Sequence, residues 1–440
     1  MSMRSLCRLR EVAFWWLDSL TGGAIRNAYN ELKKFDAMDS RSTQLLEHQQ
    51  SALQRLLQHA VRTTKFYQNF EGSFCLTDFP VINKNIIREQ QDDFISNKYD
   101  KRRLIVMTTS GSTGTPFTCY QDLGKKKRVH AEVIFYSEKA GYSVGNNLIF
   151  LRAITPKSRK SRLKQWIQNE TLLDISKLDD DHIRVLLRTI ERVSRMGSVI
   201  LAYASTYDAF KDYFRRNGYS AVGSSKIHGL ISSSEMLFDD TRDAMSKAFN
   251  CRCLSRYSNQ ENGIIGQDDI ENNTFILNEA HYIVETLKMD ADEPAVEGEV
   301  GRVVITDLYN YAMPMIRYDT GDIGSITYVE RNGVKKKAIT NFGGRRVDVV
   351  YDCHGKRLSP HSITNAFWSF REIWQFQFIQ ESETQYTVKI NVTDEFERRR
   401  EMEALLLRLL GSEAEITIEL VDDIPVLASG KRKYIANKMN

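Results

Sequence analysis

An α/β domain built on central sheets, followed by a small α+β domain, is the fold this sequence predicts. Three observations carry it. Between residues 124 and 204 short apolar runs alternate with helical stretches, as strands covered by crossover helices do. After residue 345 the pattern changes to short strands that alternate residue by residue, broken by one charged helix. Residues 108–116 read Thr-Thr-Ser-Gly-Ser-Thr-Gly-Thr-Pro, a composition that neither a packed helix nor a central strand wants.

Taken in order, Arg4, Arg8 and Arg10 precede Val12-Ala13-Phe14-Trp15-Trp16-Leu17, and Asp18 ends that run. It is too short for the apolar region of a signal peptide, and no segment approaches the length of a membrane span. Trp15 and Trp16 are expected to cap a core or make a subunit contact, the latter giving a homodimer; a peripheral membrane helix is the other reading. Leu45, Leu46, His48, Leu53, Leu56, Leu57 and Val61 recur at helical spacing and predict a helix over 41–70. Pro80-Val81-Ile82-Asn83-Lys84 breaks the pattern and leads into another polar helix. Leu104-Ile105-Val106-Met107 reads as a short buried strand feeding the small-residue run.

Residues 124–141 predict a helix, with Lys125-Lys126-Lys127-Arg128 as a solvated face. Asn147–Leu151 and Val199–Ala204 read as buried strands, with a basic amphipathic helix over 180–196 between them. Further on, Gln375–Ile379 and Tyr386–Ile390 alternate as paired strands, Glu395–Leu410 is a charged helix, and Glu415–Leu420 is a third strand. These elements divide the chain into a large domain over 1–345 and a small, mobile domain over 346–440.

Composition narrows the partners. The chain has 440 residues, 42% hydrophobic and 27% charged, which fits a globular protein of more than one domain. Its 61 basic and 57 acidic residues leave a net charge of +4, too weak to argue for nucleic acid. Six cysteines lie scattered without a disulfide framework, so a reducing, cytoplasmic location is expected. Cys251-x-Cys253 and Cys353-His354 lack the spacing of a zinc site. No internal repeat or low-complexity tract is present.

The 108–116 run can wrap an anion. Gly111 and Gly114 permit close backbone approach, and Thr108, Thr109, Ser110, Ser112 and Thr113 add hydroxyls beside exposed N–H groups. It is not a P-loop of the G-x-x-x-x-G-K-[ST] type, because Thr115 follows Gly114. A flexible linker is the alternative. Five further segments follow: Ser232-Ser233-Ser234-Glu235; Arg256-Tyr257-Ser258-Asn259-Gln260-Glu261; Tyr318-Asp319-Thr320-Gly321-Asp322; Gly344-Arg345-Arg346-Val347-Asp348 with Gly355–Pro360; and Ser429-Gly430-Lys431.

In this order the segments resemble the adenylate-forming enzymes, the acyl-CoA synthetase superfamily, from about residue 45 to 435. The resemblance implies a large adenylate-forming domain, with Thr109, Ser110, Gly111, Ser112, Thr113, Gly114 and Thr115 around the β- and γ-phosphates of ATP. Many relatives carry Lys where this chain has Thr115, so one charge contact is missing. Ser233, Ser234 and Glu235 would lie beside adenine; a helix N-cap with Glu235 in the first turn is the alternative. Tyr257, with Ser258 and Asn259, would flank adenine, and Ser258 stands where relatives often have Gly. Glu261 would ligate Mg²⁺, whose hardness suits a carboxylate oxygen. Asp322 would accept from both ribose hydroxyls, Arg345 would reach the nucleotide, and Val347 would mark the hinge. Lys431 would bridge the substrate carboxylate and the α-phosphate. Tyr203, Ser205 and Tyr207 fall where relatives line the acyl pocket.

Leu57-Gln58-His59-Ala60, Phe66-Tyr67 and Phe79–Lys84 resemble the opening of phenylacetate-CoA ligases and of their relatives encoded in surface-polysaccharide loci. The implied reaction joins a small-molecule carboxylic acid, through an acyl-adenylate, to a thiol such as CoA. An acid–amine ligase acting on a surface-glycan precursor is the second reading, and a non-catalytic nucleotide-binding protein the third.

Overall fold

The structure, a computed structural model, describes residues 3–73, 75–109, 117–152, 154, 159–175, 177–268, 272–345, 350–355, 357–358, 363, 366–367, 370, 372–392, 396–424 and 433–439. The chain divides into two units, Met1–Thr320 with Ser325–Thr340, and Gly321–Gly324 with Asn341–Asn440.

The first unit opens with helices α1 (Met3–Leu20), α2 (Ala24–Asp36), α3 (Thr43–Thr63) and α4 (Lys84–Glu89). An antiparallel hairpin follows, β1 (Ile105–Thr109) and β2 (Phe117–Gln121), in which Thr109 pairs with Phe117. The wound part runs α5 (Leu123–Glu138), β3 (Asn147–Arg152), α6 (Arg162–Gln168), β4 (Glu170–Asp174), α7 (Asp180–Val193), β5 (Ser198–Tyr203), α8 (Ala204–Asn217), β6 (Ile227–Ser233), α9 (Asp239–Phe249) and β7 (Arg252–Asn259). Strands β8 (Gly263–Asp268), β9 (Phe275–Leu277), β10 (Tyr282–Leu287), β11 (Gly301–Asp307), β12 (Tyr318–Arg331) and β13 (Val334–Arg345) complete it, with residues 321–324 of β12 and 341–345 of β13 counted in the second unit. Among the described residues these strands form one eleven-stranded sheet, in the order β10-β11-β12-β13-β9-β8-β7-β6-β5-β3-β4. Strands β4, β3, β5, β6 and β7 run parallel to one another, and β8 and β9 turn antiparallel.

The parallel strands are continuous apolar runs because helices cover them. Helix α7 buries Ile183, Leu186, Leu187 and Ile190, one stripe at helical spacing, and the Asp179 carboxylate caps it by accepting from the His182 N–H at 2.9 Å. That stripe packs with Ile149, Leu151 and Ile200 of the sheet and with Phe210 and Phe214 of α8.

The second unit has its own core. Strands β16 (Ile373–Gln380) and β17 (Gln385–Val392) pair antiparallel, as their alternation predicts. Helix α10 (Arg399–Leu410) follows, then β18 (Glu415–Leu420) and β19 (Ile435–Asn437), giving the order β18-β17-β16-β19. A small pair, β14 (Val350–Tyr351) with β15 (Arg357–Leu358), precedes them. Phe367 stacks on Phe376 with ring centroids 4.4 Å apart, beside Leu406 and Leu410.

Two expectations are corrected here. Residues 105–109 form a strand, but Val106 is 58% exposed: among the described residues β1 pairs only with β2, so one face packs through Met107 and the other meets water. The Lys125–Arg128 run is not a solvated face. Lys125 is fully buried, and Arg128 pairs with Glu31 at 2.6 Å, because carboxylates distant in sequence turn this face inward.

Candidate functional site

Parallel α/β sheets offer a crevice where their strands end. Here the strand ends after β5 and β6 are adjacent, with Tyr203 in register with Ser233. Glu235, in the turn after β6, sends Oε2 to the backbone N–H of Ser205 at 2.9 Å, in the first turn of α8. A carboxylate at a helix N-terminus satisfies an orphan donor and complements the dipole. Glu235 therefore tethers one strand-end turn to the next, whereas α9 begins only at Asp239. Ser234 has φ +69°, a left-handed backbone that is strained for a non-glycine residue. Ser233 is buried and Ser234 exposed, so this turn presents a polar edge on a rigid base.

Tyr203 is half-buried, and burial pushes its phenol above the usual range. Ser205 is buried at the start of α8. Tyr207 belongs to the core instead: it has no exposed surface, and its hydroxyl lies 3.1 Å from the Ile200 carbonyl and 3.2 Å from that of Ile231. A helical residue two positions past Ser205 points back into the sheet.

The next strand end carries the second cluster. Tyr257 is buried on β7, its ring 6.2 Å from that of Phe275, and its hydroxyl donates to Thr320 Oγ1 at 3.4 Å. Ser258 and Asn259 are half-buried, and Asn259 Oδ1 accepts from the Asn262 N–H at 2.7 Å, closing the turn that bears Glu261. The Glu261 side chain is only 2% exposed, with Lys84 Nζ 2.7 Å from its Oε1 and the Tyr318 hydroxyl donating to Oε1 at 3.2 Å. Lys84 Nζ also lies 5.5 Å over the Phe117 ring, where the small-residue loop rejoins β2. Nearby Cys119 is buried; burial first and then the charge of Glu261 push its thiol far up, so it is inert as a nucleophile near neutrality.

Long-range pairing places Lys84. The Asp319 N–H donates to the Ile82 carbonyl at 2.7 Å and the Ile82 N–H to the Arg317 carbonyl at 3.0 Å, so residues 79–84 run beside the start of β12. Arg317 takes φ +51° and donates Nη1 to the Phe79 carbonyl at 3.2 Å. Two sequence motifs more than two hundred residues apart are thus one structural feature. Sequence reasoning gave Lys84 no role at the site, because its partner Glu261 is distant in the chain and Asn83-Lys84 reads locally as a helix start.

A buried polar network holds the Glu261 turn from behind. Lys125 Nζ is 2.7 Å from Asp307 Oδ2, both side chains without exposed surface, and donates to the Tyr282 hydroxyl at 3.0 Å. The Glu132 carboxylate accepts from Tyr282 at 2.8 Å, from the Ile264 N–H at 2.9 Å and from His281 Nδ1 at 2.7 Å. Arg128 donates to His281 Nε2 at 3.0 Å, which places the neutral ring's proton on Nδ1. Gly263, at φ +126°, is where a Cβ would collide with the Glu132 carboxylate.

The remaining expected residues, Thr109 apart, fall in the second unit or outside the described residues. Asp322 is half-buried on β12, and Arg345 ends β13; both fall within the second unit, with the Arg345 side chain outside the described residues. Thr109 ends β1, while Ser110, Gly111, Ser112, Thr113, Gly114 and Thr115, the hinge residue Val347 and Lys431 all lie outside the described residues. A cleft of about 330 Å³ lined by Asn147, Arg162, Gln165, Trp166 and Asn169 opens where β3 and β4 begin, the opposite end from these turns. Cys353, His354 and Glu413 bring their ligand atoms within 4.8 Å of one another, at the surface of the second unit.

Residues 350–438 match the CapK C-terminal domain. Over 94% of the chain and 93% of the relative, the sequence is homologous to Protein CapK of Staphylococcus aureus, at 21% identity. A 50-residue stretch, 11% of each protein, is 46% identical to the phenylacetate-coenzyme A ligase of Thermus thermophilus. Among solved structures, 2-hydroxyisobutyryl-CoA ligase in its postadenylation state superposes with a TM-score of 0.71 at 15% identity, covering 89% of both chains. ATP-bound MatB from Rhodopseudomonas palustris matches with a TM-score of 0.54 at 15% identity, over 74% of this chain and 66% of that one. The fold is that of adenylate-forming ligases with a C-terminal domain.

Proposed function

We propose that the protein is an AMP-forming ligase that activates a carboxylic acid with ATP and passes the acyl group to a second nucleophile. The observation that carries this reading is the convergence of Glu235, Tyr257 and Glu261 on consecutive strand ends of an acyl-CoA ligase fold. A carboxylic acid is a poor acyl donor because its leaving group is oxide or hydroxide. Its carboxylate attacks the α-phosphate of ATP in line and pyrophosphate leaves; the acceptor then displaces AMP. Such catalysis is mainly positioning and charge neutralisation.

The residues divide the work. The 109–115 loop wraps the phosphates, and Lys84, at the loop's exit, adds the positive charge that Thr115 does not bring. The turn at 233–235 and Tyr257 flank the adenine, with Ser258 and Asn259 beside it, Asp322 holds the ribose diol and Arg345 reaches the nucleotide. Tyr203 and Ser205 border the acyl side. The Glu261 carboxylate has the hard oxygen chemistry to hold Mg²⁺, which when bound would neutralise phosphate charge; Lys84, 2.7 Å from its Oε1, would then give up that pairing for the phosphates. Lys431, on the small domain beyond a hinge at Val347, contacts the substrate carboxylate and the α-phosphate during the first step only.

Asp322→Ala should weaken AMP and ATP alike, since ribose is common to both. A hydrogen bond to a charged group is worth roughly 1.5–3 kcal/mol, so calorimetry should read a loss of about ten-fold or more. Equal AMP affinity in both proteins removes the ribose assignment.

The favoured acceptor is a thiol, CoA. An amine on a surface-polysaccharide precursor is the second reading; the short match to phenylacetate-coenzyme A ligase supports the thiol, and the full-length likeness to Protein CapK supports neither acceptor over the other. Offering CoA and amino sugars in parallel to the adenylated acid separates them: acceleration of AMP release by CoA, with an acyl-CoA product in the mass spectrum, supports the thiol. Acceleration by an amine alone overturns it.

A further inference from the structure

Helix α1 carries an apolar stripe that nothing in the described chain covers. Leu6, Leu9, Val12, Trp16, Leu17 and Leu20 are between 40% and 65% exposed. At the turn angle of an α-helix they fall in one arc of about 140°. The opposite face anchors the helix. Phe14 packs on His130 with ring centroids 5.5 Å apart and Trp15 on Tyr29 at 5.4 Å, while buried Asp18 accepts from the N–H groups of Ile25 and Arg26 at 3.2 and 2.8 Å.

The stripe does not stand alone. On the short helix α6, Leu163, Trp166 and Ile167 are 66%, 67% and 67% exposed. Arg10 joins the two helices: its guanidinium donates to Asn169 Oδ1 and lies 5.5 Å over the Trp166 ring. Exposed apolar residues scattered singly are normal; nine on two touching helices mark a contact surface. Its rim is basic. Arg8, Arg159, Arg162 and Lys164 are exposed, and residues 159–168 contain no acid. On α1 the acids are Glu11, half-buried, and Asp18, buried.

We propose that this face docks on an anionic lipid bilayer, with the Leu/Trp stripe at the headgroup–acyl boundary and the Arg/Lys rim on lipid phosphates. Leucine and tryptophan on one helix face, flanked by arginines, is the pattern of an interfacial helix. A second copy docked through this same face fits less well, because the face brings the same arginines and its α1 acids, Glu11 and Asp18, are half-buried and buried. No described helix is long and apolar enough to cross a membrane, so the association is peripheral. The face lies where β3 and β4 begin: Gly145, just before β3, abuts the Cys7 carbonyl of α1. The turns at 203–205 and 233–235 are at the other ends of the parallel strands, so a docked bilayer leaves them open. The proposal is independent of the chemistry assigned above.

The test is sedimentation of the full-length protein with phosphatidylcholine vesicles made with and without phosphatidylglycerol. Binding to the anionic vesicles, with a blue shift of tryptophan emission and loss at high salt, is the expected result. Trp16→Glu with Leu163→Glu should cut partitioning ten-fold or more, and Arg8→Gln with Arg162→Gln about five-fold per charge removed. All four side chains are exposed, and unchanged urea unfolding confirms that the variants fold. No binding to either vesicle, or equal binding to both, overturns the proposal. A dimer in analytical ultracentrifugation that Trp16→Glu breaks, without vesicle binding, assigns the face to a second copy instead.

Discussion

Replacing Lys431 by alanine is expected to slow acyl-adenylate formation by about 10²–10³-fold, the usual cost of one charged transition-state contact. Its ammonium is a compact charge on a long stem, which suits the role proposed for it. ATP affinity should change little, because the loop, the adenine turn and Asp322 remain. Transfer from a chemically synthesised acyl-adenylate should survive, because the proposed role confines Lys431 to the first step. Wild-type adenylation in the variant overturns this role. So does a loss of transfer as steep as the loss of adenylation, because no alternation of domains would then separate the steps.

Lys125→Ala should be the most destabilising single change behind the site. It leaves Asp307, which has no exposed surface, without its 2.7 Å cationic partner. Breaking a fully buried pair typically costs about 3–5 kcal/mol, whereas replacing both partners by apolar residues of similar volume is often near neutral. Urea unfolding should therefore show a large fall for Lys125→Ala and recovery of most of it in Lys125→Met with Asp307→Leu. A single variant within about 1 kcal/mol of wild type, the range of an exposed pair, contradicts this account of the network. Because Glu132 of the same network bonds the Ile264 N–H, the variant should also loosen the turn that carries Glu261.

The sequence was legible where local chemistry decides. Strands β3 and β5 and the three alternating segments of the small domain appear close to where their periodicity predicts, since burial there follows from pattern alone. The turn at 232–235 and the 256–261 segment were legible as motifs. What they touch was not: Glu235 caps a helix thirty residues earlier, and Glu261 meets Lys84 from a segment that sequence reasoning used only as a mark of lineage. Lys125 and Arg128 illustrate the same limit. A basic run on a helix reads identically whether it faces water or carboxylates folded against it from Glu31 and Asp307. The exposure of Val106 depended on which sheet β1 joins, and the parallel pairing of β17 with β18 on connection geometry; neither is written in residue periodicity.

Acid-dependent exchange of labelled pyrophosphate into ATP is the direct test of carboxylate adenylation by this protein. Measured over aromatic, amino, fatty and uronic acids, it reports acyl-adenylate formation without requiring any acceptor. The account predicts exchange with at least one acid class, absent without acid and strongly depressed in Lys431→Ala. ATP binding with no exchange for any acid would contradict it, and would leave a nucleotide-binding protein on a ligase fold.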